Sequence, residues 1–270
     1  MKNKGLLKVI LKIVSPVAGK KSFQGFFEAL NQFSLLGMNI GSGARPGDSG
    51  EKFALEYIKV HFNSVNQVVI FDVGANAGYY SKLIKDVMGG KAVIYAFEPS
   101  IKTFRKLSEN LKGQSGITLF NLGLGDENKK MVLFSNSEGS GLASVYQRKL
   151  DHLEVFMDHR EEVEISTLDS FCQEHQIDHI HFLKLDVEGH EKKVLEGSKR
   201  MLALGAIDFI QFEFGGCNID SRTYFQDFYY LLKDRYKIYR ILKDGLFQIK
   251  QYKEVYEVFT TTNFLAEKMK

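Results

Sequence analysis

One short stretch concentrates the side chains that could do chemistry. The phrase HFLKLDVEGHEKKVLEG spaces Lys184, Asp186 and Glu188 two residues apart, with His190 following at the same interval. In an extended strand this spacing puts the three charges on one side and Leu183, Leu185 and Val187 on the other. Ions isolated inside a sheet cost several kcal/mol each, so these need partners. The phrase FIQFEFG supplies them, with Gln211 and Glu213 sharing a face. Histidine titrates near neutrality and a partly desolvated carboxylate has a raised pKa, so both can accept a proton. Asp186 is the first candidate for a base or for lining a bound cofactor, His190 and Glu188 are alternatives, and Lys184 can orient the carboxylates or a substrate oxygen. Three other readings stand beside these. Lys184 can centre a structural ion-pair network. Asp186, Glu188, His190 and Glu213 can hold a divalent cation, although no tight ligand spacing requires one and no metal is assigned. Glu188 and His190 can belong to a turn and the first helical residues, where an acid complements the helix dipole. His175, His179 and His181 look like a second ligand series, but they fall in a polar connector ahead of the strand and are given no site.

A second constellation lies a hundred residues earlier. VVIFDVGANAGYYSKLIKDV reads as a strand, a glycine-containing turn and a helix. Gly74 and Gly78 allow backbone angles and close approaches that side chains would prevent, and free amides at the helix start can bind a ligand. Between them Ala75 and Asn76 complete GANAG, which lacks the GxGxxG spacing of dinucleotide sites. Asp72 at the strand end would repel a pyrophosphate but not a cationic aminoacyl sulfonium. The next strand, AVIYAFEPS, ends in Glu98 and Pro99, 20 residues past Gly78, where a carboxylate can accept both ribose hydroxyls. NLGLGDE then puts Asp126 where a carboxylate could receive an adenine amino group.

The elements that position these residues alternate as short apolar strands and amphipathic helices, the order that builds an α/β doubly wound, mostly parallel sheet covered on both faces. Seven strands are read: VVIFDV, AVIYAF, ITLFN, HFLKLDV, AIDFIQFEF, YKIYRIL and EVFTTTNFL. An insert from Lys129 to about Gln176 carries the alternating stretches MVLF and EEVEIS, the loop SEGSGLAS and the helix LDSFCQEH, and can cover an active site. The run TYFQDFYYLLKDRYKIYR has the periodicity of a helix packed on the sheet followed by a strand, which argues against RNA stacking. Residues 40–50, IGSGARPGDSG, form a turn-rich boundary. Asp48 and Glu51 there make a capping-box pattern ahead of the helix FALEYIKVHF. The chain thus divides into a helical extension, 1–47, and a main domain, 48–270. In the extension Leu6, Leu7, Ile10, Ile13, Val14 and Val17 recur at helical intervals, and six lysines precede the first acid, Glu28. The favoured reading is a helix lying across the domain with a solvated lysine face; attraction to an anionic membrane leaflet is the alternative.

The phrases FDVGANAGYYS, YAFEPS, NLGLGD, STLDSF, FLKLDVEGHE and IQFEFG, in this order across roughly residues 69–215, resemble the FkbM-type methyltransferase family. The resemblance implies a Rossmann-like class I methyltransferase fold whose last strand inserts antiparallel. It also implies S-adenosyl-L-methionine as donor, with Asp72, Gly74, Asn76, Gly78, Glu98 and Asp126 at the matching positions. The acceptor it implies is a hydroxyl on a sugar, polysaccharide precursor or natural-product scaffold. Two rivals keep the same first turn: a nicotinamide-dependent oxidoreductase, which Asp72 and GANAG disfavour, and a cofactor-binding scaffold without activity.

Composition narrows the partners. A net charge of +3 over 270 residues is far from the dense positive field of a dedicated nucleic-acid binder. Two cysteines, Cys172 and Cys217, with no CxxC pair and no signal-peptide pattern, predict a reducing cytoplasm. Lysines or polar residues break every apolar run short of a membrane span. Oligomeric state has no signature.

Overall fold

The computed structural model describes residues 4–41 and 49–270. Its centre is an eight-stranded sheet in the order β10-β9-β11-β8-β7-β1-β2-β3. The strands are β1 (Val68–Val73), β2 (Ala92–Phe97), β3 (Ile117–Phe120), β7 (Ile180–Leu185), β8 (Ile207–Phe214), β9 (Tyr236–Leu242), β10 (Gly245–Ile249) and β11 (Thr262–Lys268). From β3 to β8 all neighbours run parallel, while β11 lies antiparallel between β8 and β9. This is the doubly wound architecture with the inserted antiparallel strand.

Alternation along the strands builds a core on each face. Phe71, Val73, Leu183, Leu185 and Phe212 pack on one side with Phe171, Val194, Phe225 and Phe228 from the covering helices. Ile70, Phe182 and Phe209 pack on the other with Leu55, Ile58 and Ile84. The helices on that second face are Glu51–His61 and Tyr79–Met88. The aromatic run read as core forms helix Phe225–Leu232 and then β9, with Phe228 stacked on Phe212 at 4.6 Å between ring centroids.

Several sequence expectations need correction. The sheet has an eighth strand, β10, joined to β9 across Lys243 and Asp244 in a tight hairpin, with Gly245 paired to Leu242. The last strand starts at Thr262, so residues 257–261 of the stretch EVFTTTNFL lie outside it, between the strand and a 3-10 turn at Glu254–Tyr256. β7 ends at Leu185, so the two-residue alternation does not extend to Glu188. His181 belongs to β7 and not to the connector; its Nδ1 accepts the Val69 amide hydrogen. The insert forms a sheet of its own, in which β6 (His159–Thr167) pairs antiparallel with β5 (Lys129–Ser135) and parallel with β4 (Gly123–Gly125). Asp48 lies outside the described residues, and so does most of the boundary between the two predicted parts. Glu51 does not cap: its carboxylate accepts from Ser49 Oγ and Gln211 Nε2.

The extension departs furthest from expectation. Its helices, α1 (Lys4–Val14) and α2 (Gln24–Gly37), contribute no buried side chain among the described residues, so α1 does not lie across the domain. The first buried residues are Asn39 and Ile40. Among the described residues no helix is long and apolar enough to cross a membrane.

This contrast is measurable by denaturant unfolding. Phe228→Ala removes a fully buried ring and is expected to cost about 3–5 kcal/mol. Phe33→Ser, at a position 73% exposed in α2, should stay within about 0.5 kcal/mol. Equal losses would mean that the extension packs on the domain after all.

Candidate active site

The register of the sheet lines up a polar row just below its carboxyl edge: Asp72 on β1 is opposite Lys184 on β7, which is opposite Gln211 on β8. All three are buried, and all face the helices Glu51–His61 and Tyr79–Met88. Lys184 Nζ donates to Asp186 Oδ2 at 2.8 Å and sits 4.4 Å from the Tyr80 ring centroid. Gln211 accepts from Tyr80 Oη and donates to Glu51. Asp72 accepts from Ser81 Oγ at 2.6 Å, and its other oxygen has no hydrogen-bond partner among the described residues. Burial pushes the Lys184 ammonium down in pKa, but the carboxylates of Asp186, Asp72 and Glu51 outweigh it and hold the group above its usual range. Burial raises both Asp72 and Glu51, with Lys184 opposing. One cation therefore serves three carboxylates.

Above this row, residues 186–191 turn sharply. Asp186 still donates its amide to Val73 O, but Glu188 is left-handed, with φ 51°, and Gly189 follows at φ 102°. A side chain on Gly189 would meet Cys217 O, 2.9 Å from the Cβ position, so only glycine fits. Glu191, fully buried, ties the turn by accepting from Val187 N and Gly189 N. Burial drives its carboxyl up to about 7. The opposite wall is the turn after β1. Gly74 has φ 85°, and a Cβ there would stand 1.8 Å from Asp186 O, so the two turns are pressed together at backbone distance. Asn76 is also left-handed, a conformation asparagine tolerates.

Between these turns opens a cavity that is partly continuous with solvent. Of the residues singled out in the sequence, Gly74, Asn76, Glu98, Pro99, Asp186, Glu188 and His190 line it. Glu98 accepts from Asn76 N at 3.1 Å and Ser100 N at 2.9 Å. Burial lifts its carboxyl to about 7 against those two amides. Asp72 does not line the cavity; it is entirely buried beneath the turn. Ala75 donates its amide to Phe97 O, and Gly78 starts the following helix against Leu107 and Leu111, both outside the lining. Asp126 turns to Lys193 at 2.9 Å and Lys129 at 3.5 Å. Burial opposes its ionisation, but the Lys193 contact prevails and its pKa is lowered. It too is absent from the lining, which at this point is Leu122, Gly123 and Leu124. Lys184 and Glu213 also stay behind the wall. Burial, reinforced by Asp186 and Glu188, holds Glu213 well above the usual carboxylate range.

Three contacts from the insert hold the turn at 186–191, and sequence patterning does not reveal them. Ser144 Oγ donates to Glu188 O at 2.7 Å, the Tyr146 hydroxyl meets His190 Nδ1 at 3.0 Å, and Arg148 donates to Glu188 at 2.5 Å. Arg148 is only 9% exposed, and its Nε has no hydrogen-bond partner among the described residues. The one available signal was the aromatic and basic residues in SVYQRKL within an insert read as a cover. Burial lifts Glu188 to about 7, with Asp186 adding to the effect and Arg148 opposing it. Desolvation pulls His190 down to about 4, so its imidazole is neutral at pH 7.

The other predicted histidines lie elsewhere. His175 packs on Phe171, 4.1 Å between centroids. His179 Nε2 is 2.6 Å from Asp208, and with His181 these form a cluster of metal-ligand geometry. Lys268 also sits 2.6 Å from Asp208, supplying a positive charge there already, and the cluster is at the amino ends of β7 and β8, opposite the cavity.

Comparisons with known proteins converge on these elements. The family model for the methyltransferase FkbM domain matches residues 72–240. The 2-O-methyltransferase NoeI of Sinorhizobium fredii is 28% identical over 160 residues, 54% of this chain and 65% of that protein. Methyltransferase 1 of Beauveria bassiana is 27% identical over 143 residues, 47% of this chain and 57% of its own length. The chain thus spans less than two thirds of the length of both curated relatives. A crystal structure of methyltransferase FkbM from Methylobacillus flagellatus superposes with a TM-score of 0.45 at 15% identity, covering 74% of this chain and 44% of that one. Because the matched region runs from Asp72 at the first turn through β9 and takes in every wall of the cavity, the chain belongs to the FkbM methyltransferase domain family.

Proposed function

We propose that the protein is an S-adenosyl-L-methionine-dependent methyltransferase acting on a hydroxyl of a sugar, polysaccharide precursor or natural-product scaffold. The observation that carries this reading is the pairing of the Gly74 turn with the Glu98 carboxylate on one cavity, above a buried cluster in which three acids share one lysine. Such a wall favours a cationic ligand over a phosphate. The relative NoeI, by its name a 2-O-methyltransferase, supports an oxygen acceptor.

The residues fit the donor. Gly74 keeps the floor flat where any Cβ would be excluded, and Glu98 stands at the end of β2 with its carboxyl in the cavity wall. When bound, the donor supplies an electrophilic methyl group on a sulfonium. Glu98 would accept the two ribose hydroxyls, and Gly74, Asn76 and Leu122 to Leu124 would enclose the nucleoside. Asp186, at the mouth of the wall and anchored by Lys184, is the first candidate to take the acceptor proton, with Glu188 and the neutral His190 as alternatives. Lys184, behind the wall, acts through Asp186 as a positioning residue. Ser144, Tyr146 and Arg148 hold Glu188 and His190 in place.

Titration calorimetry with S-adenosylhomocysteine tests the donor site. Binding is expected, Glu98→Gln should weaken it roughly 10- to 100-fold through lost charge-assisted hydrogen bonds, and NAD should give no thermal shift. Because Glu98 must be ionised to accept both hydroxyls and burial holds its pKa at about 7, affinity should rise as pH increases through neutrality. Absence of binding at any pH would discard the reading.

Catalysis is tested by transfer of a labelled methyl to a panel of hydroxylated sugars. Asp186→Asn should lower turnover by roughly 100- to 10,000-fold while leaving S-adenosylhomocysteine affinity nearly intact. Full activity in this variant would move the proton acceptor to Glu188 or His190.

A further inference from the structure

The two helices of the extension present an apolar face that the domain leaves uncovered. In α1, Val9, Ile10, Leu11 and Ile13 are exposed, Ile13 by 71%, while Lys8 and Lys12 share the opposite stripe one turn apart. In α2, Phe26, Leu30, Phe33 and Leu36 recur at three- and four-residue intervals and are all exposed. That periodicity places them along one side of the helix. Exposed side chains of this size on two successive helices exceed the scattered apolar surface that folded proteins tolerate.

Charge identifies the occupant. The sequence places Lys2, Lys4, Lys8, Lys12, Lys20 and Lys21 before its first acid, Glu28, which is the sole acid up to residue 41. A second protein copy would cover the apolar face and leave the six lysines unanswered, whereas an anionic lipid surface satisfies both the apolar face and the lysines. The junction fixes the orientation. Asn39 Nδ2 donates to Ile241 O at 3.0 Å, at the carboxyl end of β9, and Gly41 N donates to Thr261 O just before β11. Strand β9 lies antiparallel to β11, as β8 does, so Ile241 is on the same edge of the sheet as Glu213 and the cavity.

We infer that α1 and α2 form a peripheral anchor, lying in the headgroup region of an anionic bilayer with the lysines toward lipid phosphates and holding the cavity-bearing edge of the domain close to the membrane. The anchor does not span the bilayer and does not depend on the methyl-transfer reading.

Co-sedimentation of the full chain with vesicles tests this. Vesicles containing phosphatidylglycerol should retain the protein, pure phosphatidylcholine should retain far less, and high salt should release it. Lys8→Gln with Lys12→Gln should weaken binding by roughly 30-fold, and Ile13→Asp with Phe33→Asp should abolish it. All four side chains are exposed, so melting temperature should not change, which separates loss of docking from unfolding. Equal retention on neutral and anionic vesicles, or none on either, overturns the inference. So does a light-scattering mass that falls from dimer to monomer in the Ile13→Asp, Phe33→Asp variant without vesicle binding, since the face would then cover a second copy.

Discussion

The arrangement rests on the ammonium of Lys184. It occupies the central strand of a sheet where hydrophobic packing would otherwise be continuous, and its neighbours on the same row are Asp72 and Gln211. Taken alone, a lysine in that position would shed its proton to escape desolvation. Three carboxylates keep it charged, and by doing so they bind together the strand tips and the two helices that cover this face. Glu51 comes from one helix, Tyr80 and Ser81 from the other, and Asp186 from the turn above. Removing the lysine would leave several buried acids without compensation, a far larger penalty than the pair contacts themselves are worth. The polar row thus specifies how the pieces fit, while the phenylalanine clusters on either face supply the bulk of the driving force.

The turns above the row depend on that anchoring. Gly74 and the Asp186 carbonyl meet at a distance no other residue permits, and Glu188 holds a left-handed backbone that a glutamate adopts only at a cost. Its carbonyl is fixed by Ser144 and its carboxylate by Arg148, both from an insert whose own core is Leu133, Val163 and Ile165. The insert is therefore a structural component of the cavity as well as its cover. A rigid small sheet carries the residues that hold the strained turn, which is how a loop can keep side chains placed well enough for chemistry.

Much of the fold was legible because its signals are local. Alternating apolar strands, the glycine turn and the amphipathic helices each announce themselves within a dozen residues, and they locate Gly74, Asn76, Glu98, Asp186, Glu188 and His190 around a common cavity. What stayed hidden is long-range or competitive. Tyr146 and Arg148 meet His190 and Glu188 across 44 and 40 residues, separations that periodicity does not register. Asp126 is a candidate ligand by position, and its ion pairs with Lys193 and Lys129 come from residues that periodicity does not connect to it. Glu51 fitted a capping pattern and was drawn instead into the charge cluster, where Gln211 and Ser49 hold it. The extension was misplaced because amphipathicity gives a helix an apolar face without saying what covers it.

Burial, more than pairing, governs the protons in the cavity wall and in the turn behind it. Glu98, Glu188 and Glu191 are each lifted to about 7 although each accepts hydrogen bonds from backbone amides or from Arg148. Between the ordinary carboxylate range and neutrality the folded chain therefore keeps protons that the unfolded chain has lost, and the contribution of these three groups to stability fades as pH rises through about 7. His190 works in the other direction: held down to about 4, its contribution is complete above pH 6.5 and is lost as pH falls through about 4. The two acids that line the cavity, Glu98 and Glu188, and the imidazole of His190 all disfavour their charged forms, so the cavity resists ionisation at neutral pH. A positively charged ligand reverses that balance by stabilising the carboxylates it approaches. The site is thereby coupled to the sign of what enters it, and a cation finds in these half-titrated acids a wall that becomes more complementary as it binds.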